Sequence, residues 1–273
     1  MIPAVVSPGW LQAHPEAHVA DVRWSLGGPP GFEAYREGHI PGAVFIDLDA
    51  ELAAAPSTEG GRHPLPDPAE FAEAMGRAGI GDGSIVVAYD AAGGFSAGRL
   101  VWMLRSLGVE AALLDGGLAA WPGPLATEIP DPDPATFSLR EWGPAQIATM
   151  DEAVAGPLVI DARAAERYDG STEPTGVAAG HIPGALSAPL SDNLDADGSF
   201  RTPDELRERY EALGVKDASR AIVYCGSGVT ACHDLLAMEY AGLGRGRLFV
   251  GSWSAYAPSG RPIATGAHPG KRK

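Results

Sequence analysis

Gly-His-Ile-Pro-Gly-Ala stands at residues 38–43 and again, unchanged, at residues 180–185. The segments around the two copies correspond as well. Asp21-Val22-Arg23 answers to Asp161-Ala162-Arg163, and Ser84-Ile85-Val86-Val87-Ala88-Tyr89-Asp90 answers to Arg220-Ala221-Ile222-Val223-Tyr224-Cys225. Further on, Leu114-Asp115-Gly116-Gly117-Leu118-Ala119-Ala120-Trp121 answers to Phe249-Val250-Gly251-Ser252-Trp253-Ser254-Ala255-Tyr256. A period near 140 residues is too long for a solenoid repeat, so the chain reads as a duplicated domain.

Within each copy, short β-rich runs alternate with helical segments. In the first, residues 69–76 read as a helix with Pro68 at its start and Gly79 near its end. A strand at residues 85–89, a helix at 97–107 and a strand at 111–114 follow. In the second, Thr202 with Glu205 three residues on opens a helix running to about Leu213. Strand, crossover helix and strand in each half imply an α/β fold, a mostly parallel sheet flanked by helices. Pro122-Gly123-Pro124 and Pro130-Asp131-Pro132-Asp133-Pro134 predict an extended, exposed linker. The expected domains are therefore residues 1–122 and 144–273, with the linker at 123–143.

The second copy carries the chemistry. Ala221-Ile222-Val223-Tyr224 is a short apolar strand that ends at Cys225, and Gly226 and Gly228 follow in a tight loop. From Thr230 to Met238 the apolar spacing is helical. A strand, a glycine-rich loop and a helix N-terminus surround the thiol with backbone N–H groups, which can hold negative charge on the sulfur or on a substrate. That is what a nucleophilic cysteine needs. A lone cysteine is more often a buried structural residue, but glycines that let amides crowd one atom favour the catalytic reading.

Cys-Gly-Ser-Gly-Val-Thr-Ala-Cys, residues 225–232, resembles the active-site loop of the mercaptopyruvate sulfurtransferases of the rhodanese superfamily. The resemblance implies two tandem rhodanese-like domains covering nearly the whole chain. It also implies sulfur transfer from a donor through a Cys225 persulfide to a small thiol, cyanide or thioredoxin, without a cofactor. Gly226, Gly228, Val229 and Thr230 would line the substrate. Arg167, within Arg167-Tyr168-Asp169-Gly170, looks like the family's ligand for a substrate carboxylate, a role that suits a bidentate guanidinium. An Asp and a His at the places of Asp49 and His63 reach the loop serine in the family, so the resemblance implies a proton relay of Ser227, His63 and Asp49; the residues alone read equally well as a surface His63 and a structural Asp49. Two positions depart from the family pattern: Thr175-Gly176 stands where a second arginine is usual, and Val250 replaces an aspartate. Thiosulfate-specific relatives place basic residues just after the cysteine. The neutral Gly226 and Ser227 favour mercaptopyruvate, with thiosulfate as the alternative donor and a non-catalytic binding module as a further one.

The duplication acts as an internal control. Asp21/Asp161, Arg23/Arg163 and His39/His181 occur in both halves and are expected to serve the fold. Cys225 has Asp90 as its counterpart, which makes the first domain catalytically silent. A cysteine phosphatase would need an arginine where Ala231 stands. With 273 residues, 45% of them hydrophobic, the chain can build two cores. A net charge of −15 argues against nucleic acid or an anionic membrane as partner. The basic tail Lys271-Arg272-Lys273 is too short to change that and is expected to be solvated. No stretch approaches the roughly 20 apolar residues of a membrane span, and the N-terminus lacks the features of a secretory signal. Two cysteines, roughly 10 Å apart along a helix, do not suggest a disulfide and fit a reducing cytoplasm. The histidines are scattered and Cys-x-x-Cys is absent, so no metal site is expected.

Overall fold

Parallel strands buried on both faces need near-continuous apolar sequence, and the chain supplies it twice. The computed structural model describes residues 1–271; Arg272 and Lys273, the end of the basic tail, lie outside the described residues. The chain forms two compact units. The first comprises Met1–Ala54, Pro66–Trp142 and Asp195–Phe200. The second comprises Ala55–Leu65, Gly143–Leu194 and Arg201–Lys273.

In the first unit β1 (Val5–Val6), β2 (His18–Asp21), β3 (Val44–Phe45), β4 (Ile85–Tyr89) and β5 (Glu110–Leu114) form one sheet in the order β1-β5-β4-β2-β3. Every pairing is parallel, with Val19 opposite Val87 and Val86 opposite Ala111. In the second unit β6 (Ile147–Ala148), β7 (Leu158–Asp161), β8 (Leu186–Ser187), β9 (Ala221–Tyr224) and β10 (Arg247–Phe249) repeat the arrangement as β6-β10-β9-β7-β8, again all parallel. The central strands β4 and β9 are the most apolar, and both are buried almost from end to end.

Helix ends follow their local chemistry. Asp67 caps Pro68–Arg77 by accepting from the Ala69 amide, and proline opens the first turn. Thr202 and Glu205 complete the expected capping box of Pro203–Ala212. The helix Ala231–Tyr240 after β9 is buried from Ala231 to Met238, so it carries apolar residues on all sides. Its one buried carboxyl, Asp234, accepts from Asn193 Nδ2 at 2.7 Å. Among the described residues no helix is long and apolar enough to cross a membrane.

The duplicated polar residues do the same work in each unit. Arg23 holds Asp21 through Nε and Nη2 and reaches the Gly38 carbonyl; Arg163 holds Asp161 and reaches the Gly180 carbonyl. His39 stacks on Tyr35 at 4.0 Å and His181 on Tyr168 at 3.8 Å. The tyrosines ending β4 and β9 accept from the amides of Ile40 and Ile182. The segment after Trp121 lacks helix and forms only a bridge between Ala126 and His39, but it is tied down. The Ala135 amide donates to the Gly76 carbonyl, and His39 Nε2 lies 3.0 Å from the Glu128 carbonyl. Prolines withhold donors, but the other groups of the segment still bond to the first unit.

Candidate active site

Strand β9 delivers Cys225 to the carboxyl end of the central strand, where open parallel sheets bind ligands. Residues 225–230 turn before the helix at Ala231. A second segment braces the turn. The Cys225 amide donates to Ser252 Oγ at 3.1 Å, and its carbonyl accepts from the Trp253 amide at 2.9 Å. The Gly226 carbonyl accepts from the Ser254 amide at 2.9 Å. Ser252 is the one non-glycine among the described residues with positive φ, at 51°, and its hydroxyl donates to the Phe249 carbonyl. Strain of this kind persists only where the surroundings over-determine the backbone. The result is a rigid turn in which the Gly228 amide donates to Cys225 Sγ at 3.1 Å.

Gly228 has φ of 79°, and a Cβ there would lie 2.4 Å from the Val250 carbonyl oxygen. Val250 therefore meets the loop through its main chain, so this contact does not depend on whether position 250 is valine or aspartate. Val229 is buried, and Thr230 begins the helix as its N-cap residue. Neither cysteine is in a disulfide; Cys232 Sγ donates to the Gly228 carbonyl at 3.5 Å.

The matching loop of the first unit is built differently. Asp90 Oδ1 accepts from the amides of Ala92 and Gly94, and Oδ2 from the amides of Ser96 and Ala97 and from Ser96 Oγ, all at 2.8–3.0 Å. The first unit's loop has the anion cradle, and its own carboxylate fills it.

The segment Ala55–Leu65 precedes most of the first unit in sequence yet packs within the second. Gly61, at φ of 77°, leaves no room for a Cβ, which would lie 2.5 Å from the Gly251 carbonyl oxygen, and the Arg62 amide donates to Ser254 Oγ at 3.0 Å. This fixes the two side chains that follow. His63 is buried, with Nδ1 2.8 Å from Ser227 Oγ. Arg62 places Nη2 3.3 Å from the point where a Cβ on Gly226 would stand, and Arg167 places Nη1 at the same distance. Two guanidinium groups thus stand over the loop. Burial lowers the Arg62 pKa most, repulsion from Arg167 lowers it further, and Cys225 and Glu173 oppose both.

Arg167, on the short helix Ala165–Tyr168, also donates through Nη2 to both oxygens of Glu173, at 2.8 and 3.1 Å. Glu173 takes further bonds from Arg163 Nη1 and from the amide and hydroxyl of Thr175. Burial alone would raise the Glu173 carboxyl; the Thr175 and Arg167 interactions outweigh it and hold the group below its ordinary value.

Within the second unit the structure thus brings together Cys225, Ser227, His63, Arg167 and the loop glycines. Asp49 belongs to the first unit, where it is exposed and accepts from Trp24 Nε1 at 2.8 Å. Sequence reasoning missed Arg62 and Glu173. The first sits beside His63 in Gly-Gly-Arg-His-Pro, and that adjacency was the available signal. Glu173 had none, because its partners lie six and ten residues back and meet it only in the fold.

Residues 7–123 and 145–258 each match the rhodanese-like domain. The chain is 42% identical over 268 residues to a probable 3-mercaptopyruvate sulfurtransferase of Pseudomonas aeruginosa, covering 93% of this chain and 94% of that one. It is 36% identical over 276 residues to a putative thiosulfate sulfurtransferase, SseB, of Mycobacterium tuberculosis, covering 97% of each. Among solved structures, the 3-mercaptopyruvate sulfurtransferase of Leishmania major superposes with a TM-score of 0.87 at 32% identity, over 95% of this chain and 75% of that one.

Proposed function

The chain belongs to the rhodanese family of sulfurtransferases, and from that premise we propose that it carries sulfur from 3-mercaptopyruvate to a thiophilic acceptor through a persulfide on Cys225. The observation that carries this reading is the grouping of a loop-cradled Cys225 sulfur, the Ser227–His63 pair at 2.8 Å and the Arg167 guanidinium around one turn.

In the first half-reaction the Cys225 thiolate attacks the donor's sulfur. An S–S bond forms, the donor's C–S bond breaks, and the electron pair passes to carbon as the enolate of pyruvate. The charge that starts on Sγ ends on the enolate. The Gly228 amide donates to Sγ and holds the thiolate before attack, and again when Sγ leaves in the second half-reaction; the Ser227 hydroxyl donates to the enolate oxygen, where charge develops in the first. With the proton on Nδ1, His63 donates to Ser227 Oγ and leaves the hydroxyl hydrogen for the substrate. The donor's thiol proton, left on the outer sulfur, passes by way of Ser227 to the enolate carbon; pyruvate leaves and Cys225 remains as the persulfide anion. Arg167 holds the carboxylate and so fixes the carbonyl toward Ser227. In the second half-reaction the acceptor attacks the outer sulfur. Cyanide leaves as thiocyanate, or a thiol leaves as a persulfide, and Cys225 is regenerated. A small thiol, cyanide or a thioredoxin-like dithiol fits this step. Every residue used belongs to the second unit. Two cysteines outside disulfides suit a reducing compartment, and we place the enzyme in the cytoplasm.

The test is peptide mass spectrometry after brief exposure to mercaptopyruvate and no acceptor. One added sulfur atom is expected on the peptide holding Cys225, discharged by cyanide. Sulfur on Cys232 instead, or on neither, refutes the proposal.

A further inference from the structure

Arg62 is half-buried, yet among the described residues its guanidinium has no hydrogen bond or ion pair, and its Nε is buried without a partner. Arg167 spends Nη2 on Glu173, while its Nε is also buried without a partner. The two groups converge on Gly226, next to the nucleophile, and they repel each other. Desolvated like charges are costly unless an anion joins them. Every other guanidinium bordering this site is committed: Arg163 is shared among Asp161, Glu173 and the Gly180 carbonyl. The sum over Arg62, Arg167 and Glu173 is a single positive charge.

We propose that Arg62 is the second ligand of the donor's carboxylate, gripping it together with Arg167, and that Glu173 keeps the pair's net charge at one so that a singly charged carboxylate is preferred over a doubly charged oxyanion. This rests on the sulfurtransferase reading above and deepens it. The guanidinium that the family places after Arg167 is absent here. In its place Thr175 donates to Glu173, while Arg62 enters from the other side of the loop. The Arg62 amide is fixed by Ser254, which places the residue beside the loop while its guanidinium stays uncommitted.

The test compares wild type with Arg62→Gln, Arg62→Lys and Glu173→Gln. It measures kcat and KM with mercaptopyruvate and with thiosulfate, and inhibition by pyruvate, an unreactive probe of the carboxylate site. Losing one hydrogen bond to a charged group should weaken pyruvate binding and raise KM for mercaptopyruvate by roughly tenfold or more in Arg62→Gln, with kcat changed far less. Arg62→Lys, which keeps the charge without the planar fork, should fall between. Glu173→Gln should raise the thiosulfate-to-mercaptopyruvate ratio of kcat/KM by roughly tenfold. If wild type transfers sulfur from mercaptopyruvate while Arg62→Gln keeps its KM and pyruvate inhibition, Arg62 is not a ligand. If Glu173→Gln leaves the donor ratio unchanged, the charge argument fails. Should Arg62→Gln prove unfolded by circular dichroism, Arg62→Lys decides: wild-type pyruvate inhibition there overturns the proposal, and weakened inhibition supports it. Wild type inert toward both donors is a different result, and it strikes the sulfurtransferase reading itself.

Discussion

Gly228→Ala tests whether the loop amides act on the reacting sulfur. The new Cβ would lie 2.4 Å from the Val250 carbonyl oxygen, at a φ of 79°. The left-handed conformation alone costs an alanine about 1–2 kcal/mol. To regain an ordinary contact the two main chains must part by about 1 Å. That motion carries the Gly228 amide from 3.1 Å to roughly 4 Å from Cys225 Sγ, beyond hydrogen-bond range. When the acceptor discharges the persulfide, Sγ leaves as thiolate, and removing one preorganised donor from that developing anion typically slows the step by about 10²–10³. Arg62 and Arg167 do not depend on that amide, so KM for mercaptopyruvate should change little. The assay is single-turnover discharge of preformed Cys225 persulfide by cyanide with rapid quench, with circular dichroism to show that the variant is folded. A folded Gly228→Ala that discharges its persulfide within about threefold of the wild-type rate would refute the role given to the amide.

Ser227→Ala and His63→Gln should lower kcat with mercaptopyruvate by about 10²–10⁴, since its leaving enolate needs a proton, and spare thiosulfate, whose leaving sulfite needs none. Equal losses on both donors would contradict the assignment. Asp90→Ala removes a carboxylate that accepts from four amides and a hydroxyl. The first unit should lose about 3–5 kcal/mol in urea denaturation, and a loss below about 1 kcal/mol would show that the loop needs no anion. Burial raises the Asp234 carboxyl from its ordinary 3.8 to about 7. A raised carboxyl contributes stability that is full below about pH 4 and is lost as pH rises through about 7, up to roughly 4 kcal/mol. Asp234→Asn should flatten that part of the stability–pH curve, and an unchanged curve would rule the group out.

Much of this was legible in sequence because the chain is written twice. The repeated Gly-His-Ile-Pro-Gly-Ala and the matching apolar strands exposed the duplication, and local signals such as Thr202 with Glu205 fixed helix ends. Asp90 facing Cys225 in the pairing of halves predicted that the first copy is silent, and in the structure a carboxylate fills the matching cradle. What stayed hidden depends on tertiary placement. Ala55–Leu65 has no periodicity to show that it packs with the second unit, so Arg62 drew no attention beside His63. Arg167 stood out as a candidate ligand, but its bond to Glu173 was not legible. Val250 looked like a departure in side chain, whereas the contact it makes with Gly228 is through its carbonyl.

The central claim is that Cys225 carries the sulfur and that the site prefers a carboxylate-bearing donor. Steady-state kcat/KM for mercaptopyruvate and for thiosulfate, on wild type and on Cys225→Ser, tests it most directly. The account predicts mercaptopyruvate well ahead of thiosulfate and no turnover of either donor by Cys225→Ser. Activity surviving in Cys225→Ser, or thiosulfate ahead in wild type, would contradict it.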